Sequence, residues 1–245
     1  MMKKSYLFLG VLYIIVFLGI ILACVTTSKT ISVFSQSEPL EDRHCFIIDA
    51  GHGGVDGGAV SCTGAYESHL NLEIAIRLND LMHLLGYDTI MIRTTDISIY
   101  TSGNSISAKK SSDLKERVRI VNETPNAILL SIHQNHYPDS YYSGAQMFYP
   151  QTTGSKELAG MLQNAFQKVL NPNNNRQIKP VQGVYLMRNI NKTGVLIECG
   201  FLSNREEEAM LRSVDYQKKI CCVIASVCSE YLLDRVGESW YNIAI

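Results

Sequence analysis

Four residues have the types and settings of a hydrolytic metal site: His52, Glu67, His133 and Glu198. Two histidines and one carboxylate can hold zinc and leave a fourth position open, and a second carboxylate can then act as a base. Zinc lowers the pKa of a water in that position to about 7, which makes hydroxide available at neutral pH. A neighbouring glutamate can take the water proton and pass it to a leaving nitrogen. His52, Glu67 and His133 are the candidate ligands, and Glu198 is the candidate base. Ligands need partners behind them. Asp56 and Asn135 are the candidates for that role. Asn135 qualifies because it shares the strand face of His133 if the strand extends that far.

These residues sit on elements suited to bringing them together. His52 lies in the turn Asp49-Ala50-Gly51-His52-Gly53-Gly54, just after the apolar run 45–48. His133 ends the apolar run 127–132, and Glu198 ends the run 195–197. Three buried-type strands each deliver a polar residue at the carboxyl end, where open α/β sheets bind ligands. Glu67 opens a helix over 67–85, with Leu70, Ile74, Leu78, Leu81 and Leu85 at helical spacing and Gly86 as the stop.

Strands are expected at 46–49, 89–92, 127–133, 146–149, 184–187 and 195–198. Helices are expected at 113–121, at 155–170 with Ser155 as cap, after a cap at Ser203 or Asn204, and at 216–233. Glu206, Glu207 and Glu208 suit the positive end of the helix that follows that cap. The Ser-rich stretch 94–112 reads as a long loop. Strand–helix alternation predicts a single α/β domain, a mainly parallel twisted sheet with helices on both faces.

The chain has 245 residues and a net charge of -1, enough for one full α/β core. No basic run exceeds two residues, which argues against nucleic-acid binding. At the N-terminus, Lys3 and Lys4 precede an uncharged apolar stretch from Tyr6 to Val25 that is long enough to span a bilayer. Residues 1–25 are therefore expected to form an N-terminal transmembrane helix, with the rest of the chain outside the membrane. A cleaved signal peptide and lipoprotein processing at Ile21-Leu22-Ala23-Cys24 are the other readings. Residues 26–43 read as a linker, 44–235 as the catalytic domain and 236–245 as an unassigned tail. The seven cysteines form no C-x-x-C pair, so neither a zinc ribbon nor a thioredoxin-type motif is supported. Cys221, Cys222 and Cys228 read as small buried apolar residues. Cys62 and Cys199 each adjoin site segments.

Each site residue also has an ordinary reading. A histidine in a glycine-rich turn can be merely solvated, and a glutamate at a helix start can serve the dipole alone. Glu198 is harder to set aside. A carboxylate between Val-Leu-Ile and Cys-Gly-Phe-Leu is costly unless paired or functional. With no H-E-x-x-H motif, spacing alone leaves both readings open. The remaining histidines, His44, His69, His83 and His136, are read as ordinary. No G-x-S-x-G elbow or P-loop is present, which disfavours serine hydrolases and NTPases.

Several stretches resemble the zinc-dependent N-acetylmuramoyl-L-alanine amidases of bacterial cell walls. They are Ile-Asp-Ala-Gly-His-Gly-Gly-Val-Asp-Gly-Gly-Ala (48–59), Glu67 with Asn71-Leu72, Leu114-Lys115-Glu116-Arg117, Ser-Ile-His-Gln-Asn (131–135) and Val-Leu-Ile-Glu-Cys-Gly-Phe-Leu-Ser-Asn (195–204). The resemblance implies that His52, Glu67 and His133 hold Zn2+ and that Glu198 is the catalytic carboxylate. The bond cut would be the amide joining the lactyl group of muramic acid to L-alanine of the peptidoglycan stem peptide. Arg93 matches a family arginine and is taken as a supporting or substrate residue. The single catalytic domain and the stretches 143–146 and 184–187 resemble the spore-cortex, germination-specific subfamily. That likeness implies stem-peptide removal before a polysaccharide deacetylase forms muramic-δ-lactam. It also implies an extracytoplasmic location in the forespore intermembrane space and a cleft without an inserted helix, open to control by an extracytoplasmic activator protein. Ile92, Thr193-Gly194, His136 and Cys199 depart from the family pattern. Two other functions remain as alternatives: a wall-binding or scaffold protein without turnover, and a zinc carboxypeptidase acting within the stem peptide.

Overall fold

The computed structural model describes residues 43–243, with side chains described as far as Asp234. Residues from Arg43 onward form one compact unit. The expected membrane span at 1–25 lies outside the described residues, and no helix among those described is long and apolar enough to cross a membrane. In chain order the elements are β1 (Cys45–Ala50), α1 (Glu67–Leu84), β2 (Asp88–Met91), α2 (Ile106–Glu123), β3 (Ala127–Asn135), β4 (Gln146–Tyr149), α3 (Ser155–Val169), β5 (Lys179–Pro180), α4 (Tyr185–Asn189), β6 (Thr193–Phe201), α5 (Arg205–Leu211) and α6 (Val214–Ile243).

The strands form one six-stranded sheet in the order β2-β1-β3-β6-β4-β5. All pairings are parallel except β4 with β6. The sheet is thus mixed, with a parallel centre. Helices cover both faces, because the crossovers that parallel strands require must pass above or below the sheet. Alternation along the strands supplies both cores. Phe46, Ile48, Leu130, Ile132, Val195, Ile197 and Met147 join α1, α3 and α6 in one buried cluster. Ile47, Leu129 and Leu196 join residues of α2 and α4 in a second. Each such side chain contributes about 1.5–3 kcal/mol by leaving water.

Four local expectations are corrected. Stretch 94–112 is not all loop: α2 starts at Ile106, and Ser105 Oγ accepts from Ala108 N at 3.2 Å. Serine's low helix propensity hid that first half. Residues 185–189 are a helical turn rather than a strand, since a short apolar run does not distinguish the two. Ser155 does not cap α3. Gly154 holds the N-cap with φ +76°, and buried Ser155 Oγ instead accepts from Gly194 N at 2.9 Å. Cys222 is exposed, while Cys221 and Cys228 are buried. Asn204 does cap α5, its Oδ1 accepting from Glu206 N and Glu207 N. Helix α6 continues through residue 243, into the stretch the sequence leaves unassigned.

Candidate functional site

The site is assembled at the carboxyl ends of β1, β3 and β6. Beyond β1, Gly51 N still bonds to Ile132 O at 3.0 Å, so the chain stays beside β3 until His52. There the backbone turns with φ +61°, a left-handed conformation uncommon outside glycine. Two arginines hold that turn. Arg117 donates to Ala50 O at 3.0 Å and to His52 O at 2.8 Å. Arg93 donates to Ala50 O at 2.9 Å, Gly51 O at 3.0 Å, Thr95 O at 3.0 Å and Ser68 O at 2.7 Å. The Arg93 side chain is 0% exposed. Its guanidinium bonds carbonyls that join the His52 turn to the start of α1, a supporting position.

His52, Glu67 and His133 converge, each offering one ligand atom, all within 4.8 Å of one another. His52 Nε2 lies 3.3 Å from Glu67 Oε2, and His133 Nδ1 lies 3.0 Å from Glu67 Oε1. The two imidazoles meet edge to face with centroids 5.1 Å apart. The space is cut to glycine dimensions. A Cβ on Gly51 would fall 2.2 Å from His133 Nε2, and one on Gly58 would fall 2.6 Å from Glu67 Oε2. Two imidazole nitrogens and a carboxylate oxygen, gathered with no room for a methyl group, form a donor set that fits zinc.

Partners behind these residues are well defined. His52 Nδ1 lies 3.0 Å from Asp56 Oδ2, the arrangement that orients a ligating imidazole. Lys110 Nζ reaches the same oxygen at 2.9 Å. Glu67 accepts from Ala59 N at 2.9 Å, Gln134 N at 3.2 Å and Asn71 Nδ2 at 3.2 Å. Asn135 does not join this shell. The β3–β6 register shifts between His133 and Asn135, and Asn135 contributes its carbonyl to Leu202 N at 2.8 Å. The extra residue of that shift lies in β6, so Asn135 keeps the strand face of His133 but stands one pair further along β3, beside Phe201 rather than beside the ligands.

Glu198 is the register partner of His133 across β3 and β6, so the two side chains project from the same sheet face. Its Oε2 is buried without a hydrogen-bond partner. Burial pushes the Glu198 carboxyl up to about 7; His133 and His52 pull against this, and Glu67 adds to it. Burial also works against a proton on His52, but hydrogen bonds to Asp56 and Glu67 outweigh it and lift His52 to about 9. For Glu67, burial raises the carboxyl, yet the bonds to His133 and His52 hold it far below the usual carboxylate range. The His52 bond, with Lys110 behind it, depresses Asp56. Cys199 points the other way, into the α1/α3/α6 core, which accounts for its place next to Glu198 in sequence.

Sequence reasoning gave no role to Lys110, Asn71, Gln134 or Arg117. Arg117 forms a buried ion-pair cluster with Asp49 and with Asp113, the latter at 2.7 Å. Ser131 Oγ donates to Asp49 Oδ2 at 2.7 Å. The Asp113–Arg117 spacing of one helical turn was the available signal.

An α/β domain whose strand ends gather a metal-type cluster beside a buried carboxylate has the make-up of a metal-dependent hydrolase. The chain belongs to the N-acetylmuramoyl-L-alanine amidase family, whose pattern matches residues 46–228, and so is an enzyme that acts on peptidoglycan. It is 35% identical over 201 residues to the germination-specific N-acetylmuramoyl-L-alanine amidase of Bacillus subtilis, covering 81% of this chain and 84% of that one. Among solved structures it is similar to the CwlD amidase of Clostridioides difficile in complex with the GerS lipoprotein. That match has TM-score 0.74 and 37% identity, and covers 78% of this chain and 98% of that one. An N-acetylmuramoyl-L-alanine amidase from Clostridium difficile 630 matches with TM-score 0.67 and 32% identity over 78% of this chain and 97% of that one.

Proposed function

We propose that the chain hydrolyses the amide between the lactyl group of N-acetylmuramic acid and L-alanine of the stem peptide, with zinc held by His52, Glu67 and His133. When bound there, zinc supplies Lewis acidity to a carbonyl and to water. The observation that carries the reading is the buried, unpartnered Oε2 of Glu198 beside this cluster. A buried carboxyl with an unpartnered oxygen beside the cluster can take a proton from water and return it to the leaving nitrogen. Asp56 accepts from His52 Nδ1 and leaves Nε2 facing the cluster. Asn71, Gln134 and Ala59 hold the Glu67 carboxylate in place.

Mass analysis of products from purified muropeptides tests the reaction. The expected product is a peptide beginning with L-alanine. Release of a single amino acid would identify a carboxypeptidase instead, and no release would leave a wall-binding protein.

The cellular role we infer is stem-peptide removal in spore cortex, ahead of a deacetylase that forms muramic-δ-lactam. Its support is the likeness to a germination-specific amidase. The enzyme acts outside the cytoplasm, in the forespore intermembrane space, tethered through residues 1–25. An extracytoplasmic activator protein restrains it or switches it on, a reading suggested by the solved complex of the CwlD amidase with a lipoprotein. Cortex from a strain lacking the gene is expected to contain no muramic-δ-lactam, and a normal content would remove this role.

A further inference from the structure

The strand register extends the site sideways, beyond the residues used so far. Across β3, β6 and β4, His133 pairs with Glu198 and Glu198 pairs with Gln146, so all three project from one face of the sheet. The row continues past Gln146 to Arg176, whose Nη1 reaches Gln146 Oε1 at 3.4 Å. Arg176 is fixed in place. Its Nε donates to Ser143 O at 2.7 Å, and its guanidinium carbon stands 4.5 Å from the ring centre of Phe201 and 5.8 Å from that of Tyr142. Those two rings stack with centroids 6.4 Å apart.

This guanidinium forms no ion pair with a carboxylate among the described residues, unlike Arg93, Arg117, Arg119 and Arg212. Glu207 senses its charge, but both Glu207 oxygens are already engaged, by Gly144 N and Phe201 N at 2.8 Å each. An arginine held by one carbonyl, one amide oxygen and two aromatic rings keeps a charged edge free for a planar anion.

We propose that Arg176 is a specificity-determining residue that binds a carboxylate on the peptide half of the substrate. The inference rests on the amidase reading above. The N-acetylated glycan carries no charge once its lactyl group is in the scissile amide, whereas the peptide carries free carboxylates, so a guanidinium selects the peptide. Reach narrows the choice further. Arg176 lies one strand spacing and one side chain beyond Glu198, on the order of 10 Å. An extended peptide covers that distance in about three residues. The carboxylate it takes therefore belongs to the second or third residue of the stem.

The test uses the zinc-loaded full chain and two soluble stem peptides, one with free carboxylates at the second and third residues and one with both amidated. Calorimetry is expected to give at least ~10-fold tighter binding of the free-acid peptide, the low end for a charge-assisted bond. In Arg176→Gln that preference disappears, and Arg176→Lys recovers part of it. Equal weakening toward both peptides in Arg176→Gln would make the arginine a scaffold for Ser143 and Gln146 and overturn the proposal. So would a preference that survives the substitution. Because binding is read without turnover, discrimination between the peptides by a protein that cleaves no muropeptide would overturn the reaction and leave the subsite standing.

Discussion

The two faces of the central sheet are built from the same strands and differ at their carboxyl ends. On the face under α1, α3 and α6, the residues stay apolar to the end: Phe46, Ile48 and Ala50 on β1, Leu130 and Ile132 on β3, Ile197 and Cys199 on β6. On the other face, α2 and α4 cover a smaller set that includes Ile47, Ala127, Leu129 and Leu196. Past them, the same alternation presents Asp49, Ser131, His133, Glu198 and Gln146. Between β3 and β4, residues 136–145 form turns and no helix. The covered face supplies stability without chemistry. The chemistry sits where helix cover stops, and there the polar groups are held by other polar groups, with Glu198 Oε2 as the exception.

That contrast is measurable in stability first. Arg117 is the keystone of the polar half, joining Asp49, Asp113 and two carbonyls of the His52 turn. Arg117→Met strands two buried carboxylates and is expected to cost about 3–5 kcal/mol in denaturant unfolding. Leu130→Ala on the covered face is expected to cost about 2–5 kcal/mol. If the polar face were ordinary surface, Arg117→Met would stay within about 0.5 kcal/mol, and the two faces would not be equally load-sharing.

The next largest effect separates rate from stability. Glu198→Gln removes the proposed proton carrier and is expected to slow muropeptide cleavage at least ~100-fold, with zinc content unchanged by metal analysis. His133→Ala is expected to lose the metal itself. Near-normal turnover by Glu198→Gln, or stoichiometric zinc in His133→Ala, would reassign the residue concerned.

Much of this division could be read from the chain. The apolar runs ending at Asp49, His133 and Glu198 gave the strands and the glycine-rich turn placed His52, while the close approach at Gly51 and Gly58 appeared only in the structure. Spacing placed residues on faces but did not reveal how far along the strand the site extends or which face is the core. Asn135 was therefore placed with His133, and Cys199 was left unexplained until the register assigned it to the core. Nor could it choose between a supporting and a substrate role for Arg93, because burial of a guanidinium among carbonyls depends on segments distant in sequence. Lys110 was hidden in a serine-rich stretch read as loop, and it gained a direction only once that stretch became helix.

Protonation offers a smaller effect of known sign. In metal-free protein, Glu198 is raised from 4.5 to about 7 and His52 from 6.5 to about 9. Both groups bind protons more tightly folded than unfolded. The stability linked to Glu198 is complete below about pH 4.5 and is lost as pH rises through 7. That linked to His52 is complete below about 6.5 and is lost through 9. Metal-free protein is therefore expected to melt at lower temperature as pH rises from about 5 to 9, by several degrees. Glu198→Gln should flatten the lower part of that curve. A melting temperature that rises over this range would contradict the described pairing.

The smallest effect is expected at Lys110, and it tests whether the open face is organised beyond direct contacts. Lys110 touches Asp56, and Asp56 touches His52. The lysine side chain is 51% exposed, so its contribution is screened by solvent and salt. Removing an outer partner of a metal ligand typically costs 10–100-fold in affinity, and exposure places Lys110→Met at or below roughly the lower figure. Zinc affinity measured by competition with a chromophoric chelator is expected to fall up to ~10-fold at low salt and to approach the wild-type value at high salt, with Lys110→Arg close to wild type. Asp56→Asn should lose more and depend less on salt, because Asp56 bonds the ligand His52 directly and that contact is better shielded from solvent. Equal affinities for Lys110→Met and wild type at low salt would end the chain of support at Asp56.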